Sequence, residues 1–168
     1  MDSSQVLLDV YGRIPPIAHE VVGGLSNESL VWAPAPGANT IAWLVWHSAR
    51  VEDDHVAEVM GTDQVWADPT WAPRFGVAPD LQNTGYGHGP ADVATVRPRD
   101  GSDLLAYLDA VHDRTLPFLA GLEAPDLDRV VDRRWDPPVT LGVRLMSVAA
   151  DGLEHLGQAA YLKGLLER

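Results

Sequence analysis

Apolar residues recur every three or four positions in four segments of the chain. Outside those segments no apolar–polar alternation reaches five residues, so packed helices are expected rather than sheets. In the first segment Val6, Leu7, Val10, Ile14, Ile17 and Val21 mark one face of a helix from about Ser4 to Gly23. Pro15-Pro16 is expected to bend or briefly interrupt it, and Gly23-Gly24 to end it. The second helix follows the non-helical Ala33-Pro34-Ala35-Pro36-Gly37 run, is capped by Asn39 or Thr40, and continues to about Gly61. The third is expected from Ser102 to Gly121, carrying Leu104, Leu105, Leu108, Val111, Leu116 and Leu119, with a kink at Pro117. The fourth, capped by Thr140, runs from Leu141 to about Leu166, roughly 40 Å at 1.5 Å per residue.

Between the second and third helices lie residues 62–99, with Trp66, Trp71, Phe75 and the run Thr84-Gly85-Tyr86-Gly87-His88-Gly89-Pro90. A loop this long is functional or disordered, and its aromatics argue for order. Together these features predict an all-α four-helix bundle with a long ordered loop between helices 2 and 3. A length of 168 residues suits one domain, residues 1–168.

The chain has no cysteine. That excludes a disulfide scaffold, a thiolate zinc or iron–sulfur site and a cysteine nucleophile, leaving His, Asp, Glu and backbone oxygen as metal ligands. The net charge of −12 argues against nucleic acid and against anionic membrane surfaces as partners, and leaves a small molecule as the expected ligand. No stretch of 18 apolar residues exists and the start Met1-Asp2-Ser3-Ser4 lacks a basic signal region, so a cytoplasmic location is expected. There is no G-x-S-x-G elbow, phosphate-binding glycine loop or dinucleotide fingerprint.

On the fourth helix Asp151 and His155 stand at i and i+4, on a face shared with Arg144, Ser147, Gln158 and Leu162. On the second, His47 stands among Trp43, Leu44, Trp46 and Val51. One imidazole facing a carboxylate–imidazole pair makes a three-ligand set with open positions, as in catalytic rather than structural metal sites. The plainer alternative is a hydrogen-bonded core histidine, with Asp151 paired to Arg144 or Arg50. Arg50, one turn beyond His47, suits a substrate carboxylate or an ion pair with a neighbouring aspartate. Gln158 suits an outer contact to the site or an interhelical hydrogen bond. Tyr86 and His88, between glycines, are candidate pocket walls over the metal site; the alternative is a loop that only closes the far end of the bundle. Trp43 and Trp46 are expected in the core, and His19, His55 and His112 on solvated or boundary faces.

The stretch Gly37-Ala38-Asn39-Thr40-Ile41-Ala42-Trp43-Leu44-Val45-Trp46-His47-Ser48-Ala49-Arg50 resembles the second helix of the DinB-like (damage-inducible) superfamily, and Asp151-x-x-x-His155-x-Gly157-Gln158-Ala159 its fourth. That superfamily includes mycothiol-dependent maleylpyruvate isomerase and bacillithiol transferases. The runs Arg74-Phe75-Gly76, Thr84 to His88 and Trp135-Asp136-Pro137-Pro138-Val139-Thr140 resemble a branch found in high-GC Gram-positive bacteria. The resemblance implies a divalent metal, zinc or nickel, held by His47, Asp151 and His155. Asp151 stands where many members have histidine, and is similar to the carboxylate of the maleylpyruvate isomerase branch. It further implies a homodimer and a thiol-dependent transferase or isomerase. With no cysteine in the chain, the thiol would come from a cosubstrate such as mycothiol. A metal-dependent hydrolase and a non-catalytic small-molecule-binding bundle are the alternatives.

Overall fold

A computed structural model describes residues 2–167. Helix α1, Ser3–Tyr11, opens with a capping box between Asp2 and Gln5. It ends at Gly12, and α2, Ile14–Val22, begins anew with Pro15 and Pro16 in its first turn. The brief interruption expected at the prolines falls just before them, at Gly12 and Arg13, so the first helix is two. Prolines at a helix start lack only N–H groups that have no intrahelical acceptor there, so they initiate α2 rather than bend a continuous helix. A short α3, Asn27–Leu30, leads to α4, Ile41–Met60, where the Thr40 hydroxyl accepts from the Trp43 N–H at 3.1 Å. Gly61 ends α4 in the left-handed conformation at φ 69°.

The connection to α7 is ordered. It contains a 3₁₀ turn at Val65–Ala67 and the short helices α5, Ala72–Phe75, and α6, Pro90–Val93. Helix α7, Gly101–Ala120, is capped by Asp100 and holds Pro117 in its last turn. A second 3₁₀ turn, Ala124–Asp128, precedes a hairpin of β1, Val130–Asp132, and β2, Val139–Thr140, paired antiparallel. These strands were not expected, because strands of three and two residues are too short for alternation to register. Helix α8, Leu141–Leu166, is capped by the Thr140 hydroxyl.

Helix α4 packs on α8 and α7, and the α1–α2 pair lies against α7 and α8, giving the all-α bundle. Trp43 and Trp46 are both buried in its core. His112, expected near the surface, is buried on α7 against Glu52 of α4 at 3.4 Å. Its position continues the buried face of Leu108, Val111 and Thr115, so the helix geometry overrides its polarity.

The long connection is fixed by one buried ion pair. Arg50 and Asp53 lie one turn apart on α4, with side chains 0% and 2% exposed. Asp53 accepts from the backbone N–H groups of Val65 and Trp66 and from the Tyr107 hydroxyl, at 2.7, 2.8 and 2.8 Å. Arg50 donates to the carbonyls of Asn83 and Leu81 and to the Gln64 side chain, at 3.1, 2.9 and 3.0 Å. Trp66, Phe75 and Tyr107 close over the pair as an aromatic cluster, with ring centres 5.0–5.8 Å apart. Removing one member of such a pair leaves a buried charge without its partner. Asp53→Ala is expected to lower the unfolding free energy by about 3–5 kcal/mol in urea titration. A loss below about 1 kcal/mol, the range of a surface pair, would contradict this role.

Candidate metal centre

The antiparallel packing of α4 on α8 sets His47 opposite one face of α8, where Asp151 and His155 stand one turn apart. Asp151 Oδ2 lies 3.9 Å from His47 Nε2, and Asp151 Oδ1 lies 3.5 Å from His155 Nε2. One ligand atom from each of the three lies within 4.8 Å of the others. At bond lengths of about 2.0–2.2 Å, ligands on opposite sides of an ion stand about 4–4.4 Å apart, so small side-chain rotations close the set.

The histidines are held with Nε2 facing inward. His47 Nδ1 donates to the Thr84 carbonyl at 2.5 Å. A carbonyl only accepts, so the hydrogen sits on Nδ1 and Nε2 keeps its lone pair. Trp43 stacks on the His47 ring at 4.5 Å between centres and meets His155 edge-on at 5.9 Å. The Gln158 side chain lies 3.4 Å from His155 Nδ1.

Asp151 Oδ2 is buried and has no hydrogen-bond partner among the described residues. A buried carboxylate oxygen without a donor is costly, and a cation removes that cost. The residues thus fit a divalent metal. Burial pushes His47 below the ordinary imidazole range, against the opposing pull of the Thr84 carbonyl and Asp151. His155 is raised, chiefly by its hydrogen bond to Asp151.

His47 and Asp151 line one end of a cleft of about 690 Å³, with His155 one turn beyond Asp151. The connection contributes Gln82, Thr84 and Tyr86 to its wall, and the hairpin contributes Asp132, Arg134 and Trp135. Tyr86 therefore stands at the cleft, largely exposed. His88 does not line it. His88 Nδ1 accepts from Trp43 Nε1 at 3.1 Å, its Nε2 donates to Asn83 Oδ1 at 2.9 Å, and its ring stacks on Trp46. It braces the wall from behind. Gln158 is exposed beside His155 and borders a separate apolar groove with Pro34 and Tyr161. The substrate contact expected of Arg50 does not fit its placement. It is fully buried, and its donors are taken up by Asp53, Tyr107 and the connection. Asp151 pairs with neither Arg50 nor Arg144.

Sequence reasoning passed over Arg144, His55 and the hairpin residues as cleft lining. His55, expected on a solvated or boundary face, is half-buried in the cleft, with its Nδ1 2.6 Å from Arg144 Nη1. Its placement eight residues after His47, on the same side of α4, was the available signal. His19 is half-exposed and pairs with Asp109 at 3.0 Å.

The profile of the DinB superfamily matches residues 14–159. The chain belongs to the DinB superfamily. A solved structure, titled "Crystal structure of the conserved protein of locus from Enterococcus faecalis", is similar over 97% of this chain and 96% of that one. The identity is 29% and the TM-score 0.89. No curated protein matches the chain. This DinB-superfamily bundle thus carries a His–Asp–His group able to bind metal, and no helix among the described residues is long and apolar enough to cross a membrane.

Gly85 gives a direct test of how the wall supports the site. Its φ is +90°, and a Cβ there would stand 2.8 Å from His47 Nδ1 and 3.0 Å from the Trp46 ring. Gly85→Ala is expected to move the Thr84 carbonyl off His47 and weaken metal binding by about 10–100-fold, the usual effect of losing a ligand's hydrogen-bond partner. Unchanged affinity by competitive chelator titration would contradict this. Metal affinity should also fall as pH falls, because both imidazoles must be unprotonated to bind. The raised His155 starts that loss above the ordinary imidazole range near pH 6.5. In Asp151→Ala, the residual affinity should begin to fall at a lower pH than in the parent.

Proposed function

We propose that the protein is a divalent-metal-dependent enzyme that uses a low-molecular-weight thiol, of the mycothiol type, to transfer to or isomerise a small molecule. The observation that carries the metal reading is Asp151 Oδ2, buried without a donor between two histidines that turn Nε2 inward. Three protein ligands leave positions open for exogenous groups. A zinc or nickel ion held by His47, Asp151 and His155 supplies a Lewis acid that lowers the pKa of a bound water or thiol towards neutrality.

The chain's own residues do the rest. Asp151 provides the negative charge, and the Thr84 carbonyl and Trp43 hold His47 in one tautomer and orientation. Val51 and Val148 line the cleft beside the ligands and limit water there. Gln82, Tyr86 and Trp135 offer wall on which a cosubstrate can rest. A cleft of about 690 Å³ lies within the range of small-molecule and cofactor sites. The absence of cysteine requires the thiol to arrive with the cosubstrate.

Untagged protein should purify with one divalent ion per chain, and His155→Ala should lower metal affinity at least tenfold. Undiminished metal content in that variant would overturn the ligand set. On the loaded protein, turnover of electrophilic small molecules should require added thiol. Metal-dependent ester or amide cleavage without thiol would replace this reading with a hydrolase. Metal binding with no turnover of either kind would leave a small-molecule-binding bundle. The same reading has the protein act as a homodimer in the cytoplasm. Sedimentation that shows only monomer at micromolar concentration would overturn the dimer.

A further inference from the structure

The cleft has a second end. On α8, Arg144 stands seven residues before Asp151, about 10 Å along the helix axis at 1.5 Å per residue, with Val148 between them. On α4, His47 lies across from Asp151 and His55 lies across from Arg144, so the cleft follows the seam between the two helices. The hairpin closes the far end with Asp132 and Arg134.

The donors at that end are not all taken up within the protein. The Arg144 side chain is 11% exposed. Its Nη1 donates to His55 Nδ1 at 2.6 Å and to Glu58 at 3.4 Å, and its Nη2 donates to Asp132 at 3.1 Å. Nε and the second Nη2 hydrogen have no acceptor among the described residues. Arg134 grips the same Asp132 carboxylate through Nε and Nη2, at 3.0 and 2.8 Å, and its Nη1 is unengaged among the described residues. Since His55 Nδ1 accepts from Arg144, its remaining hydrogen is on Nε2, a further donor. One aspartate is thus shared by two guanidiniums, each with donors left over. Three carboxylates, Asp54, Asp132 and Asp151, and the two guanidiniums line the cleft. With Glu58, which also touches Arg144, a divalent cation at the near end brings these groups to neutrality, so the free donors rather than the net charge favour an anionic group.

We propose that the far end of the cleft is a carboxylate-binding subsite, where Arg144 and Arg134 take the acid group of a substrate whose reacting end sits at His47, Asp151 and His155. The planar fork of a guanidinium matches a carboxylate; Arg144, 11% exposed, holds it more strongly than an exposed cation does, and Arg134, 79% exposed, adds a second fork at the rim. The substrate class is an elongated monocarboxylate with its reactive group about two helical turns from the acid. This rests on the reading of the near end as a metal centre, and the experiment separates the two.

The probes are ω-mercaptoalkanoic acids of increasing chain length and the matching ω-mercaptoalkanols, titrated calorimetrically into zinc-loaded and metal-free protein. Acids long enough to span the cleft should bind zinc-loaded protein at least tenfold more tightly than the alcohols, and short acids should show no such advantage. Arg144→Gln should abolish the advantage while keeping its zinc. Asp132→Asn should increase it, because both guanidiniums lose their competing carboxylate. If Arg144 only tethers the hairpin, Asp132→Asn cuts the same tether and lowers acid affinity as Arg144→Gln does; that result overturns the subsite. Equal affinity of acids and alcohols at every length, with zinc-dependent binding intact, overturns the subsite alone. Alcohol binding that ignores zinc overturns the metal centre alone, and the acid advantage remains readable in the same titrations.

Discussion

The buried Arg50–Asp53 pair is the constraint on which the site depends. Both charges sit on α4 beneath the aromatic cluster, away from water, and each is satisfied by backbone groups of the connection rather than by the other alone. Asp53 holds the start of the connection at residues 65–66, and Arg50 holds its middle at residues 81–83. A buried ion pair adds little net stability over a well-packed apolar pair, but breaking it is costly. Here it fixes where a long segment must lie. Residue 84 follows directly, and its carbonyl sets the tautomer of His47.

Two seams of α4 carry polar groups: the one with α7 encloses them fully, and the one with α8 leaves them open to a cleft. Along the α4–α8 seam, the positions that a simple bundle would fill with leucine hold His47, Asp151 and His155 at one end and His55 and Arg144 at the other. Val51 and Val148 occupy the middle. Polar groups are tolerated there because the seam is not sealed by a fifth helix. The connection and the hairpin cover it from two sides and leave a cleft between them. The candidate site thus lies where the core is least complete, at the expense of the buried, unpartnered oxygen of Asp151.

The helices and the trio were legible in the sequence for physical reasons. Periodicity of three and four reads directly as a helix face, and Thr40 and Thr140 are recognisable caps because their hydroxyls replace a missing acceptor. An i, i+4 pair such as Asp151 and His155 lies on one face whatever the tertiary context. The role of Arg50 was not legible, because its partners are backbone carbonyls thirty-one and thirty-three residues away, and backbone groups have no sequence signature. His88 misled for a related reason. Its flanking glycines signal close approach, but not that the approach is to Trp43 and Trp46 from behind the wall. The hairpin was missed because strands of three and two residues are too short to carry a pattern.

The hydrogen bond from His47 Nδ1 to the Thr84 carbonyl joins two things usually described apart, the order of a surface segment and the basicity of a ligand. Thermodynamic reciprocity makes their coupling symmetrical. Whatever free energy the closed segment contributes to holding a cation at Nε2, the cation returns to keeping the segment closed. A ligand pressing on Gln82 or Tyr86 would thereby act on a cation held at Nε2 without touching it, through a single carbonyl group.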